Sequence, residues 1–170
     1  MHSLAIALKN EGHEVTGSDD HIYDPAKTRL KKHGLLPENG FDPSRIDENL
    51  DAVILGMHAF EDNPELEKAQ ALNLPIYSFP EFVFEHSKLK HRLVIAGSAG
   101  KTTVTAMIMH VLNGIGKDFD YLVGAQVKGF DNPVRLSGAP MLLVEGDEYL
   151  SSKRDKETKF LRYQPHLIVV

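Results

Sequence analysis

The stretch Leu93-Val94-Ile95-Ala96-Gly97-Ser98-Ala99-Gly100-Lys101-Thr102-Thr103 sets the expected fold class. Its first four residues are apolar and read as a buried strand. Gly97 to Thr103 then reads as a tight turn, and Thr103 to Asn113 as an amphipathic helix ending near Gly114 and Gly116. A strand, a small-residue turn and a helix opening on Gly-Lys-Thr form a phosphate cradle. Small residues let the backbone curl so that several N–H groups point at phosphate oxygens. The helix N-terminus adds a partial positive charge. Gly97, Ser98, Ala99 and Gly100 supply the curl, and Thr103 follows it into the helix. Lys101 reaches for the β- and γ-phosphates, and the Thr102 hydroxyl is a ligand for Mg²⁺. The strict pattern has a glycine where this chain has Ile95, so the turn is a variant. The plain alternative is an ordinary strand–helix turn with a chance Gly-Lys-Thr. The flanking strand and helix argue against it.

Outward from this turn the alternation continues on both sides. Downstream, Asp120–Val123 reads as a strand, and Met141–Glu145 as a strand ending in a carboxylate. Leu167–Val170 is a final apolar run. Upstream, His2–Asn10 reads as a helix with Gly12 as its stop, and His13–Ser18 as a short strand. Pro25–His33 reads as a helix closed by Gly34. Asp51–Met57 reads as a strand buried on both faces. Asn63 caps a helix over Pro64–Leu72 with proline at its first position. Leu74–Ser78 is a strand and Pro80–His86 a helix. Lys88-Leu89-Lys90-His91-Arg92 is a polar, basic stretch, taken as the domain boundary. The expectation is α/β: two Rossmann-like or P-loop parallel-sheet domains, residues 1–88 and 89–170, both incomplete. The helix at His2 is read as following a strand and turn that would precede Met1.

Composition excludes several classes. Apolar residues are 42% and charged residues 25% of 170, as in ordinary globular proteins. No apolar run nears the about 18 residues that span a bilayer, so no membrane partner is expected. Nineteen basic against 24 acidic residues, with no basic block, argues against nucleic acid. The chain has no cysteine, which excludes disulfides and thiolate chemistry and fits a cytoplasmic setting. Nine histidines show no HxxxH or HExxH spacing, so a histidine metal cluster is not expected.

The second chemical signal is Val144-Glu145-Gly146-Asp147-Glu148. Ligands bind at the carboxyl ends of parallel strands, and Mg²⁺ takes one or two carboxylates plus waters and phosphate oxygens. Glu145 is therefore a candidate direct ligand. Asp147 and Glu148 are candidates for holding metal waters or a cationic substrate group. The bland alternative is a solvated acidic turn. Asp19 and His58 also fall at expected strand ends, where a ribose or base contact is as plausible as a helix cap or loop position. The charged run Lys153 to Lys159 is a solvated face, or a surface meeting an anionic substrate.

These segments together resemble the Mur ligases, ATP-dependent amide-forming enzymes of peptidoglycan metabolism. MHSLAIAL resembles the helix after the family's first glycine-rich turn, and GSDD its second strand end. DAVILGMHAFEDNPELEKA resembles the third strand and Asn-Pro helix start. IAGSAGKTTVTAMIMHVL resembles the ATP loop and helix, and VEGDEYLSSKRDKETKFLRYQPH the acidic corner. Asp155-Lys156, Lys159-Phe160, Tyr163 and Pro165 resemble the branch that adds a preformed peptide. The branch that adds L-alanine has a different stretch there. The resemblance implies ATP and Mg²⁺ as cofactors, with Gly97, Ser98, Gly100 and Lys101 on the ATP phosphates. Thr102 and Glu145 would ligate the metal, and Thr103 would support the loop. Ser18, Asp19 and His58 would face a UDP-sugar. UDP-N-acetylmuramate and a murein peptide would be the substrates, joined through an acyl phosphate in peptidoglycan recycling. The L-alanine-adding ligase and a nonenzymatic nucleotide-binding module are the alternatives. Ala99 stands where these two branches carry histidine. The family's first strand, a later histidine metal ligand and the third domain have no counterpart in this sequence. The 170 residues alone are therefore expected not to turn over.

Overall fold

The computed structural model describes residues 1–56, 62–147 and 159–170. The chain divides into two compact units, Met1–Phe79 and Pro80–Val170. The division falls after the first residue of the helix Phe79–His86, which the sequence reading places in the first domain.

In the first unit, α1 (His2–Asn10) buries Ser3, Leu4, Ile6, Ala7 and Leu8 on one face. It stops through a two-bond closure. The Gly12 N–H donates to Lys9 O and the His13 N–H to Leu8 O, with Gly12 at φ +93°. Left-handed backbone there suits glycine. Helix α2 (Ala26–Lys32) follows, with Leu30 buried. Strands β1 (Val53–Leu55) and β2 (Ile76–Ser78) pair in parallel, Val53 opposite Ile76, and α3 (Pro64–Ala71) lies between them in sequence. The Asn63 side chain accepts from the Glu65 and Leu66 N–H groups at 2.9 and 3.2 Å, so the expected cap forms. Such caps stabilise a helix by about 1 kcal/mol.

Two expectations for this unit do not hold. His13–Ser18 is not a strand: among the described residues it has no ladder partner, and most of it is exposed. Within Asp51–Met57, whose last residue lies outside the described residues, the strand is the three-residue β1, half-buried rather than covered on both faces; among the described residues its one ladder neighbour is β2.

The second unit begins with α4 (Phe79–His86) and β3 (His91–Ala96). Then come α5 (Lys101–Gly114), β4 (Asp120–Leu122), β5 (Val134–Arg135) and β6 (Met141–Gly146). Helix α6 (Lys159–Arg162) and β7 (Leu167–Val169) complete it. The sheet order is β5-β4-β6-β3-β7, parallel except for β5 against β4. Ile95, Met109, Phe119, Tyr121, Val123, Val127 and Leu143 form one core cluster under α5. Each such side chain, fully buried, contributes about 1.5–3 kcal/mol.

The basic stretch at 88–92 is not a plain linker. His91 and Arg92 open β3, and Arg92 is buried. Its guanidinium donates to the carbonyls of Ser87, Lys88, Lys90 and Gln164 and lies 5.2 Å from the Phe84 ring centroid. A charge spread over four carbonyls avoids the cost of an unpaired buried cation. No described helix is long and apolar enough to cross a membrane.

Candidate functional site

The site lies at the carboxyl end of the parallel strands of the second unit. β3 ends at Ala96, and the chain turns through Gly97 (φ +128°) and Gly100 (φ +79°) into α5. Both angles would strain a side-chain-bearing residue, so the two glycines meet a conformational demand. Ser98, Ala99 and Gly100 are exposed, and Lys101 and Thr102 half-buried. Lys101 Nζ donates to Gly97 O at 2.7 Å, which folds the ammonium back over the turn. The α5 N-terminus has no side-chain cap. Its first N–H groups are the donors such a turn offers to an anion.

Register brings the carboxylate in from the neighbouring strand. β6 pairs with β3, and Glu145 stands opposite Ile95, next to the start of the turn. Glu145 is buried at 6% exposure. Its Oε2 accepts from the Gly124 N–H at 3.0 Å, just beyond β4. Its Oε1 is buried and has no hydrogen-bond partner among the described residues. Burial pushes the Glu145 carboxyl up from its ordinary value, and the Asp147 charge adds to this. The Gly124 N–H, the Thr102 side chain and the Lys101 charge oppose it, without cancelling it.

A buried carboxylate oxygen without a partner is costly unless something positive completes it. The donors here are all oxygen: Glu145 Oε1 and the Thr102 hydroxyl. That set suits Mg²⁺, which keeps several waters and binds through few carboxylates. Among the described residues no group of three or more His, Asp or Glu is placed to hold a metal ion. A shallow cleft of about 600 Å³ runs on from the turn along α5, lined by Thr102, Thr103, Met107, His110, Gln126 and Val127 among others.

Asp147 is half-buried, and its charge adds to the burial that raises the Tyr163 hydroxyl. Glu148 and His58 fall outside the described residues. Ser18 and Asp19 belong to the first unit. The Ser18 hydroxyl sits 2.7 and 2.6 Å from the two oxygens of Glu65, which also accepts from the Asp42 N–H. The Asp19 carbonyl accepts from the Gly40 N–H, and its side chain is exposed. Sequence reasoning missed Glu65 as the node joining these segments. It also missed Gly124, whose relation to Glu145 depends on the order of the strands in the sheet.

The sequence profile described as "Mur ligase family, catalytic domain" matches residues 1–91, more than half of the 170. The chain belongs to the Mur ligase family. Among its Mur ligase relatives is the UDP-N-acetylmuramate–L-alanyl-gamma-D-glutamyl-meso-2,6-diaminoheptandioate ligase of Escherichia coli (strain K12). The two are 33% identical over 172 residues, covering 100% of this chain and 37% of that protein. The UDP-N-acetylmuramate–L-alanine ligase of Persephonella marina is 30% identical, covering 100% of this chain and 35% of that protein. The chain thus spans a little over a third of the curated relatives it matches. Among solved Mur ligases, the UDP-N-acetylmuramate:L-alanyl-gamma-D-glutamyl-meso-diaminopimelate ligase from Neisseria meningitides superposes with a TM-score of 0.87. It is 32% identical, and the match covers 100% of this chain and 56% of that one. The phosphate turn lies beyond the profile match but within these longer alignments.

Proposed function

We propose that the protein serves an ATP-dependent ligase that joins L-alanyl-γ-D-glutamyl-meso-diaminopimelate to UDP-N-acetylmuramate in the cytoplasm. The observation that carries this reading is the buried Glu145 with its partnerless Oε1 beside the Gly97–Thr103 turn. The names of the relatives supply the substrates.

The lactyl carboxylate oxygen of UDP-N-acetylmuramate attacks the γ-phosphorus of ATP, and ADP leaves. The peptide amine then attacks the acyl carbon, loses a proton and releases phosphate. The turn's N–H groups and the Lys101 ammonium hold the phosphates and offset charge that builds on the transferring group. Thr102 and Glu145 would hold Mg²⁺, which supplies charge neutralisation between the phosphates when bound. Folding of Lys101 onto Gly97 O keeps its ammonium near the turn. Burial of Glu145 keeps bulk water from competing for the carboxylate. In the first domain, residues 1–88, Ser18, Asp19 and His58 are assigned to the UDP-sugar. Asp147 and Glu148 are assigned to metal waters or the amine.

Phosphate release tests the proposal. The complete gene product is given ATP, Mg²⁺ and UDP-N-acetylmuramate, with the tripeptide or L-alanine as acceptor. Release is expected with the tripeptide. Release with L-alanine alone would move the protein to the other branch. Ala99, exposed at the turn where these branches carry histidine, favours one further reading, a nucleotide-binding module without turnover. Silence with both acceptors, unrelieved by Ala99→His, is its expected result.

A further inference from the structure

We propose that Gly124 is a positioning residue for the metal site. Its N–H fixes one oxygen of Glu145, and its missing side chain leaves room for that oxygen, so that the other is presented to the cation. The inference rests on the ligase reading of the turn and Glu145.

Two independent observations meet at this glycine. First, the Gly124 N–H donates to Glu145 Oε2 at 3.0 Å. Second, a Cβ built on Gly124 would stand 2.8 Å from the same Oε2, closer than real side chains approach. Conformation does not demand glycine here, because Gly124 is absent from the positive-φ glycines of the chain. The close approach is to the movable end of the Glu145 side chain, so a side chain at 124 is accommodated by shifting the carboxylate from its place against the amide.

The placement follows from the sheet. β4 pairs with β6 in parallel, the last partners being Leu122 and Val144. Gly124 therefore follows β4 at the level of the end of β6, within reach of the Glu145 side chain and at the end where the phosphate turn sits. The amide occupies Oε2 while Oε1 stays buried and partnerless. A carboxylate pinned through one oxygen has lost most of its rotational freedom, so binding a cation through the other costs less ordering. Gly146, next on β6, is also sterically required: a Cβ there would meet Val94 Cγ1 at 2.6 Å and Phe160 Cβ at 2.7 Å.

The test uses the full 170-residue chain and Mn²⁺ as the probe. Free Mn²⁺ is followed by electron paramagnetic resonance in the presence of ATP, for the parent and for Gly124→Ala. ATP affinity is measured separately without metal. Loss of an outer partner of a metal ligand typically weakens the metal by about 10–100-fold. The expected result is a loss of at least tenfold in Mn²⁺ affinity, with metal-free ATP affinity unchanged. A general packing defect would move both. Parent binding with Gly124→Ala equal to it would overturn the inference alone. No Mn²⁺ binding by the parent would overturn the ligase reading and the inference with it. If Gly124→Ala does not fold, the Gly124 amide proton decides in nuclear magnetic resonance. It should move upfield in Glu145→Gln and respond to Mg²⁺ with ATP. An amide that moves in neither experiment contradicts the proposal.

Discussion

Glu145 stands where burial opposes its charge, and the protein keeps it there. One oxygen is bonded to Gly124 and the other has no partner. For stability alone, an uncharged isostere would serve better, since sites built for function commonly sacrifice some stability. Glu145→Gln should keep the bond to the Gly124 N–H and remove a buried charge. Its thermal midpoint is expected to equal or exceed the parent's, while Mn²⁺ binding with ATP is lost. A midpoint several degrees lower, with metal binding intact, would show that Glu145 is a structural residue. At the same scale, Lys101 and the two positive-φ glycines were legible because their pattern is local. Gly124 was not, because its requirement comes from a residue far along the chain. Ser18 was assigned to a ligand from its strand-end position, yet its hydroxyl is engaged by Glu65. Hydrogen bonds between distant segments leave no trace in spacing.

The strands that carry the site are braced at their opposite end. Asp120 opens β4 fully buried. It accepts from Lys90 Nζ, from the Ser137 N–H at 3.0 Å and from the Ser137 hydroxyl at 2.6 Å. Lys90 also donates to Ser137 O. The lead-in to β3, the start of β4 and the loop before β6 are tied through one ion pair. Removing one partner of a buried pair usually costs about 3–5 kcal/mol, because the other is left uncompensated. Lys90→Met should lower the unfolding free energy by an amount in that range, seen as a lower urea midpoint at unchanged m-value. A loss under about 1 kcal/mol would mean that the pair behaves as an exposed one. Helices α4 and α5 and the parallel strands of this unit were readable from apolar runs and stop residues. Helix α6 and three further features of the chain were not. His13–Ser18 has strand composition without a partner among the described residues. β5 is two residues long, too short for any period to register. Arg92 looks like a linker residue until Phe84 and four carbonyls surround it.

At the scale of the whole molecule, two α/β units share the chain, and the metal and phosphate candidates fall in the second. The family is shown by the profile match and the long alignments. The residues that would perform its chemistry follow from strand register and the turn. A parallel sheet collects strand ends at one edge, so a turn after β3, a glycine after β4 and a carboxylate on β6 converge without being close in sequence. The alternation that produces such an edge is a pattern any sequence displays, and the order of the strands within the sheet is not. That is why the fold class was readable and the carboxylate's amide partner was not.

Hydrogen exchange on the 170-residue chain, with and without ATP and Mg²⁺, tests the central claim most directly. The account predicts slower exchange over residues 97–103 and at Gly124, loss of that protection in Lys101→Ala, and loss of the Gly124 part alone when Mg²⁺ is left out. Exchange that is identical with and without nucleotide, or protection that survives Lys101→Ala undiminished, would contradict it.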